Sequence, residues 1–357
     1  MTVIIEPIQY RLSDQFIISQ HRGKKMKKKA FLQSTMLAVT FMVGSSMVTS
    51  AQAATAPLTK VNFVQEWPVA DGFWIPWVLG KEKGFYAEEG IDLNIIAPPT
   101  VADTMKFLGT GRAEVAFTTV MDIIFAKEQG APVESIARYG RGNNWGIISS
   151  QGKALTVADL KGKTIGIYND AWTKAQLSLM LESAGLTLSD VIMVTAADDT
   201  VPLLLQKRVD AITGITNAEG TEMVTMGKQT LEFLPAVGHG VPNTPILMFA
   251  GNQDWMNKHP ELAKAFLRAT SKSISYAVAH PEEGVSAFAA AFSKSYDPAF
   301  ITQQWKDTVP LLSPTDGQSL HQDVATWNSL LNALQQQQIV KKPLPAEQYF
   351  TNKYLPD

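Results

Sequence analysis

The chain has 357 residues, 45% of them hydrophobic, enough for real cores in one large or two medium domains. It contains no cysteine, which excludes a disulfide, a thiolate metal site and a cysteine nucleophile. The formal net charge is -2, but seven Lys/Arg lie in the first 53 residues against Glu6 and Asp14; the 24 basic and 31 acidic residues that remain argue against nucleic acid or an anionic membrane as the main partner.

The N-terminal asymmetry has its own reading. A basic cluster, Lys24 to Lys29, precedes an apolar run from Ala30 to Val48 and then Ala51-Gln52-Ala53. Basic region, apolar region and A-x-A site describe a cleavable secretory signal, with cut after Ala53 and Met26 as the natural start. Polar residues interrupt the run, and no second apolar span follows, which disfavours a membrane anchor. No cysteine follows for a lipid anchor, so the expected location is a periplasm.

Val61 to Gln65 is apolar and β-branched and breaks at Pro68. The pattern restarts at Asp71-Gly72 as an aromatic helix ending near Lys83-Gly84, and Asp92 to Ile96 forms a second strand. A helix over Val101 to Leu108, a strand at Val115 to Phe117, a helix from Met121 to Gln129 and a strand from Val133 to Ala137 continue the alternation. Such spacing predicts βαβ units and a parallel sheet. A turn-rich segment, Gly140 to Asn144, interrupts it. The rhythm then resumes with strands at Trp145 to Ser149, Thr164 to Tyr168, Val191 to Thr195 and Ala211 to Ile215, and helices at Ala171 to Ala184 and Val201 to Lys207. A Gly/Pro-rich stretch leads to a strand near Ile246 to Ala250 that could return to the first block. Helices at Pro260 to Ala279, Pro281 to Phe292, Pro298 to Thr308 and Thr315 to Gln338 complete the chain.

Four runs carry a resemblance. Lys81 to Ile95 (KEKGFYAEEGIDLNI), Gly111 to Ala137, Ala158 to Tyr168 (ADLKGKTIGIY) and Val209 to Gly220 (VDAITGITNAEG) are similar to segments of the NMT1/THI5-like solute-binding proteins of ABC importers, relatives of the sulfonate and taurine binders. The resemblance implies an α/β, two-lobed periplasmic binding protein of type II, with parallel-type sheets flanked by helices and a ligand cleft between the lobes. It places one lobe at 54–143 and 247–357 and the other at 144–246, after a leader over 1–53. It also implies a small-molecule ligand, delivery to an ABC permease with its ATPase, a monomer, and no cofactor. Pyrimidine binders of this group end the last run with Trp-Asn-x-Glu-Gly; here Asn217, Glu219 and Gly220 keep the pattern and Thr216 replaces the aromatic residue, which removes one expected stacking wall.

Candidate ligand residues cluster where strands end, the usual ligand position in an open α/β sheet. On the first lobe these are Trp67, Asp71, Trp74, Thr118 and Thr119; on the second, Tyr168, Trp172, Asn217 and Glu219. Flat heterocycles stack well between such rings. A carboxylate such as Glu219, Asp71 or Glu66 suits an exocyclic N–H donor. Each also has a bland use: Asp71 before Gly72 is a good helix cap, and Trp77 on the helix body belongs in a core. Arg138 and Arg141 near the crossover are the basic residues nearest the strand ends, so a ring is preferred over a sulfonate, taurine, nitrate or aromatic acid. The five histidines show no metal-ligand spacing, and no Ser/His/Asp arrangement stands out. The pyrimidine synthases of the family carry a cysteine-rich motif that this chain lacks, so an enzyme is not expected.

Overall fold

The computed structural model describes residues 57–168, 170–196, 199–292, 297–312 and 320–356. The signal segment and Asn169 lie outside the described residues. Each of two sheets contains a βαβ unit of adjacent parallel strands. The first is built from β1 (Thr59–Gln65), β2 (Ile91–Ile96), β3 (Val115–Thr119) and β4 (Val133–Arg138), with helices α1 (Ile75–Glu82), α2 (Phe85–Glu88), α3 (Asp103–Gly109) and α4 (Val120–Glu128) between them. The second uses β5 (Trp145–Ser149), β6 (Thr164–Tyr168), β7 (Ile192–Ala196), β8 (Ala211–Ile215) and β9 (Glu232–Pro235), with α5 (Ala171–Glu182), α6 (Val201–Leu205) and α7 (Glu219–Thr225). The chain then returns to the first sheet as β10 (Leu247–Asn252) and continues through α8 (Gln253–Lys258), α9 (Pro260–Ala279), α10 (Pro281–Ala291), α11 (Pro298–Leu312) and α12 (Val324–Gln336).

The sheets are mixed rather than parallel, in the orders β2-β1-β3-β10-β4 and β7-β6-β8-β5-β9. β10 runs antiparallel to β3 and β4, and β5 antiparallel to β8 and β9. The crossovers are the reason. Leu247 opens β10 beside Thr119, at the carboxyl end of β3, and Trp145 opens β5 beside Ile215, at the carboxyl end of β8. A strand that enters from the other lobe starts at this edge and can only run back along the sheet. All six residues of β10 are buried, as expected for an apolar strand inserted between two neighbours.

The opening unit shows how local sequence sets the cleft edge. Asp71 is extended and its carboxylate accepts from the Phe73 N–H, capping a short 3-10 turn that leads into α1, where Pro76 fits the first turn. Gly84 takes φ 80°, a left-handed conformation that ends the helix cheaply. α1 packs closely on α9: a Cβ at Gly80 would lie 1.9 Å from the Ser273 hydroxyl oxygen. The sequence pattern extends the last helix from Thr315; in the structure α12 begins at Val324, capped by Asp323, and residues 313–319 lie outside the described set. Among the described residues no helix is long and apolar enough to cross a membrane.

Candidate functional site

The carboxyl ends of β1 and β3 in one sheet meet those of β6 and β8 in the other, and most of the candidate residues sit there. On the first side Trp67 packs edge-on against Phe73 and Phe117, with ring centroids 5.2 and 5.7 Å apart. Phe73 continues this layer to Tyr139 at 6.2 Å. Trp77 lies behind it, fully buried against Phe63, Phe117, Tyr139 and Phe249. On the second side Trp172 packs edge-on against buried Trp145 at 6.2 Å. Trp67 and Trp172 are both only partly buried; the Trp67 indole N–H is turned toward the Asp71 carboxylate, whereas that of Trp172 is out of solvent without a hydrogen-bond partner.

Two candidate residues are used differently from the sequence reading. Trp74 is not joined to these rings. It is buried edge-on against Phe292 at 5.5 Å, because the 3-10 turn rotates it toward the helical layer. Thr119 does not offer its hydroxyl to the cleft, since it caps α4, accepting from the Asp122 N–H at 3.1 Å and donating to the Asp122 carboxylate. Thr118, one residue earlier and pointing to the opposite side of the strand, is fully buried with an unpartnered hydroxyl.

Carboxylates from both lobes crowd the same space. Glu66 is 4% exposed; burial, then the Asp122 charge, raise its pKa well above the usual range, and its Oε2 has no hydrogen bond although the Thr118 hydroxyl lies beside it. Burial pushes Asp71 up to about 7, opposed by the bond from Gln304 Nε2 at 3.1 Å and the Phe73 N–H. Asp170 caps α5 through the Thr173 N–H and hydroxyl, and burial moves it to about 6. Glu219 is raised by burial while it accepts from the Ile215 N–H and the Tyr168 hydroxyl, each at 2.9 Å. It rests over Gly214, where a Cβ would come 2.7 Å from the Glu219 Cβ. The charged neighbours acting most strongly on Glu66, Asp71 and Glu219 are other acids: Asp122 and Asp170, Glu219, and Asp199. Such a space favours neutral acids or a cation.

The lobes are also tied directly. Asn217 is 2% exposed, and its amide accepts from Asn144 Nδ2 at 2.7 Å and donates to Thr308 Oγ1 of α11 at 2.8 Å. The Thr221 hydroxyl donates to Asp307 at 2.6 Å. α11 also supplies Gln304 to Asp71, so one helix reaches both walls. A cavity of about 260 Å³ lies against Phe73, Tyr139, Asn144, Asn217 and Thr308, large enough for a small ring compound. Arg141 is directed elsewhere, donating to the Pro310 carbonyl at 2.9 Å.

Asp122, Gln304 and Thr308 are absent from the sequence-derived set. Asp122 could have been found from the capping-box spacing after Thr119. Gln304 and Thr308 sit four apart on α11, but nothing in the sequence says that this helix reaches the cleft.

The family model described as NMT1/THI5 like matches residues 74–284. A formylaminopyrimidine-binding protein of Halalkalibacterium halodurans is 24% identical over 337 residues, 89% of this chain and 97% of that one. A 4-amino-5-hydroxymethyl-2-methylpyrimidine phosphate synthase of Saccharomyces cerevisiae is 24% identical over 240 residues, 62% of this chain and 68% of that one. Among solved structures, the periplasmic aliphatic sulphonate binding protein SsuA of Escherichia coli superposes with a TM-score of 0.65 at 16% identity, over 84% of this chain and 99% of that one. The fold is thus that of two-lobed periplasmic binding proteins, and with more than half of its length matched the chain belongs to the NMT1/THI5-like family.

Proposed function

We propose that this protein is the solute-capturing component of an ABC importer, holding a small amino-substituted heteroaromatic, of the thiamine-precursor pyrimidine type, between its lobes. The observation that carries this reading is the set of buried polar atoms without a closed hydrogen bond, Glu66 Oε2, the Thr118 hydroxyl and the Trp172 indole N–H, beside aromatic rings at the strand ends of both sheets. Buried polar groups without partners are costly, and a ligand with N–H donors and ring acceptors offsets that cost. We take 54–143 with 247–357 as one lobe and 144–246 as the other. Export to a periplasm, a monomeric state, and handover of the closed form to a permease and its ATPase belong to the same reading.

The rival ligand class is an anion such as a sulfonate, taurine or nitrate. It is disfavoured because the cleft charges are carboxylates, and the N-termini of α4 and α5 are already capped by Thr119 and Asp170. A synthase activity is disfavoured by the lack of any cysteine for the motif those enzymes carry. A thermal-shift screen with pyrimidines, thiamine, riboflavin, aromatic acids, taurine and nitrate tests the reading, since a ligand bound only by the folded state raises the melting temperature. The expected result is a shift with an aminopyrimidine that is lost in Trp172→Ala. A shift with anions alone sinks it.

A further inference from the structure

Glu66, Thr118, Asp122 and Asp170 form a second recognition element whose chemistry differs from ring stacking. Glu66 follows β1, Asp122 lies in the first turn of α4, and Asp170 starts α5 on the opposite lobe; α4 and α5 pack against each other, which brings these acids into one space. Their hydrogen bonding is unequal. Asp122 binds the Thr119 hydroxyl, and both Asp170 oxygens accept from Thr173. Glu66 Oε2 and the fully buried Thr118 hydroxyl have no partner. Glu66 faces the Thr118 hydroxyl and the Asp122 carboxyl, yet its Oε2 closes no hydrogen bond with either, so local structure accounts for Asp122 and Asp170 and only in part for Glu66. Among the described residues no group of three acids or histidines has the arrangement to hold a metal ion. A dry site with several carboxylate oxygens and one hydroxyl acceptor fits an organic cation that brings its own N–H groups.

We propose that Glu66, with Thr118 beside it and Asp122 and Asp170 adding negative charge from both lobes, is a subsite for an N–H-bearing cation on the ligand, a primary ammonium or an amidinium. This rests on the reading that the cleft captures a ring solute and adds the charge that the solute carries. Because Asp170 comes from the second lobe, a cation here also draws the two lobes together. Neutral isosteres of the ligand are bound weakly and anionic ones rejected.

The test is calorimetric titration of the full chain at neutral pH with benzamidine, benzamide, benzoate and acetamidine, repeated on Glu66→Gln and Thr118→Val. Benzamidine is expected to bind at least about tenfold more tightly than benzamide, with no heat from benzoate. Glu66→Gln keeps the shape and removes the charge, so it should bring the benzamidine-to-benzamide ratio close to one with benzamide affinity held. Thr118→Val should lower benzamidine affinity a few-fold. Equal binding of benzamide and benzamidine overturns the subsite and leaves the ring reading intact. Acetamidine binding as tightly as benzamidine, with the same loss in Glu66→Gln, keeps the subsite and removes the ring reading. An unchanged ratio in Glu66→Gln, preference for benzoate, or no cation binding at all overturns the proposal.

Discussion

The two walls of the cleft are finished to different degrees. On the second lobe the polar groups that face the cleft are mostly held by the protein: Glu219 by the Ile215 N–H and Tyr168, Asn217 by Asn144 and Thr308, Asp170 by Thr173. On the first lobe an aromatic layer is tightly packed, but Glu66 Oε2, the Thr118 hydroxyl and the Tyr139 hydroxyl are buried without partners. Both walls carry unmet hydrogen-bonding capacity, the second at Trp172 Nε1, Gln176 Nε2 and Thr200 Oγ1, but only on the first does it include a carboxylate oxygen, so a bound solute should stabilise the first lobe more than the second. The aromatic layer of Trp67, Phe73, Phe117 and Tyr139 is backed by Trp77, which supports this wall from behind.

The largest effect should come from removing that support. Trp77 touches four rings behind the cleft and is fully buried, so Trp77→Ala leaves a large cavity and should cost about 3–5 kcal/mol in chemical denaturation. A cost below about 1 kcal/mol would mean that the first wall is not rigid. A smaller effect is expected from pH. Asp71 is raised from 3.8 to about 7 in the fold, chiefly by burial, so the native state holds its proton over that range while the unfolded chain has lost it. Stability attached to this group is therefore greatest below the unfolded value and falls as pH rises through the window, by roughly 2–4 kcal/mol. Asp71→Asn should flatten the decline in melting temperature between mildly acidic and neutral pH. An equal decline in the variant would remove Asp71 as its source.

How much of this was legible in the sequence follows from range. Strands such as Trp145–Ser149, Thr164–Tyr168 and Ala211–Ile215, and the helix Pro260–Ala279, coincide with the apolar pattern and its Gly and Pro punctuation, which are local signals. Sheet direction was not local: the same apolar run reads identically whether β10 runs up or down, and only the crossover decides. The site divides in the same way. Asp71, Glu219 and Trp172 announce themselves as acids and aromatics at strand ends. Trp74 does too, and its place against Phe292 depends on a turn of three residues that rotates its ring. Gln304 and Thr308 are invisible because Gln304 lies 233 residues beyond Asp71 and Thr308 91 beyond Asn217, and a helix so far downstream gives no sign of which loop it will cover.

Two further substitutions sharpen the contrast between the walls. Glu219→Ala removes the acceptor that the second lobe positions with Tyr168 and Ile215, and ligand affinity should fall by roughly 1.5–3 kcal/mol if the carboxylate bonds the ring amine. Unchanged affinity takes Glu219 out of the site. The smallest effect is expected at the bond between lobes. Thr308→Val keeps the volume and deletes the oxygen that accepts from Asn217 Nδ2, so in the closed form a buried amide loses its partner, whereas in an open form water can satisfy it. Closure is then less favourable, and apparent affinity should drop by about 0.5–1.5 kcal/mol although Thr308 need not touch the solute. The same substitution in an Asn217→Ala background separates the causes: if the bond carries the effect, Thr308→Val adds almost nothing there, and a full additional loss would assign Thr308 to the packing of α11 instead.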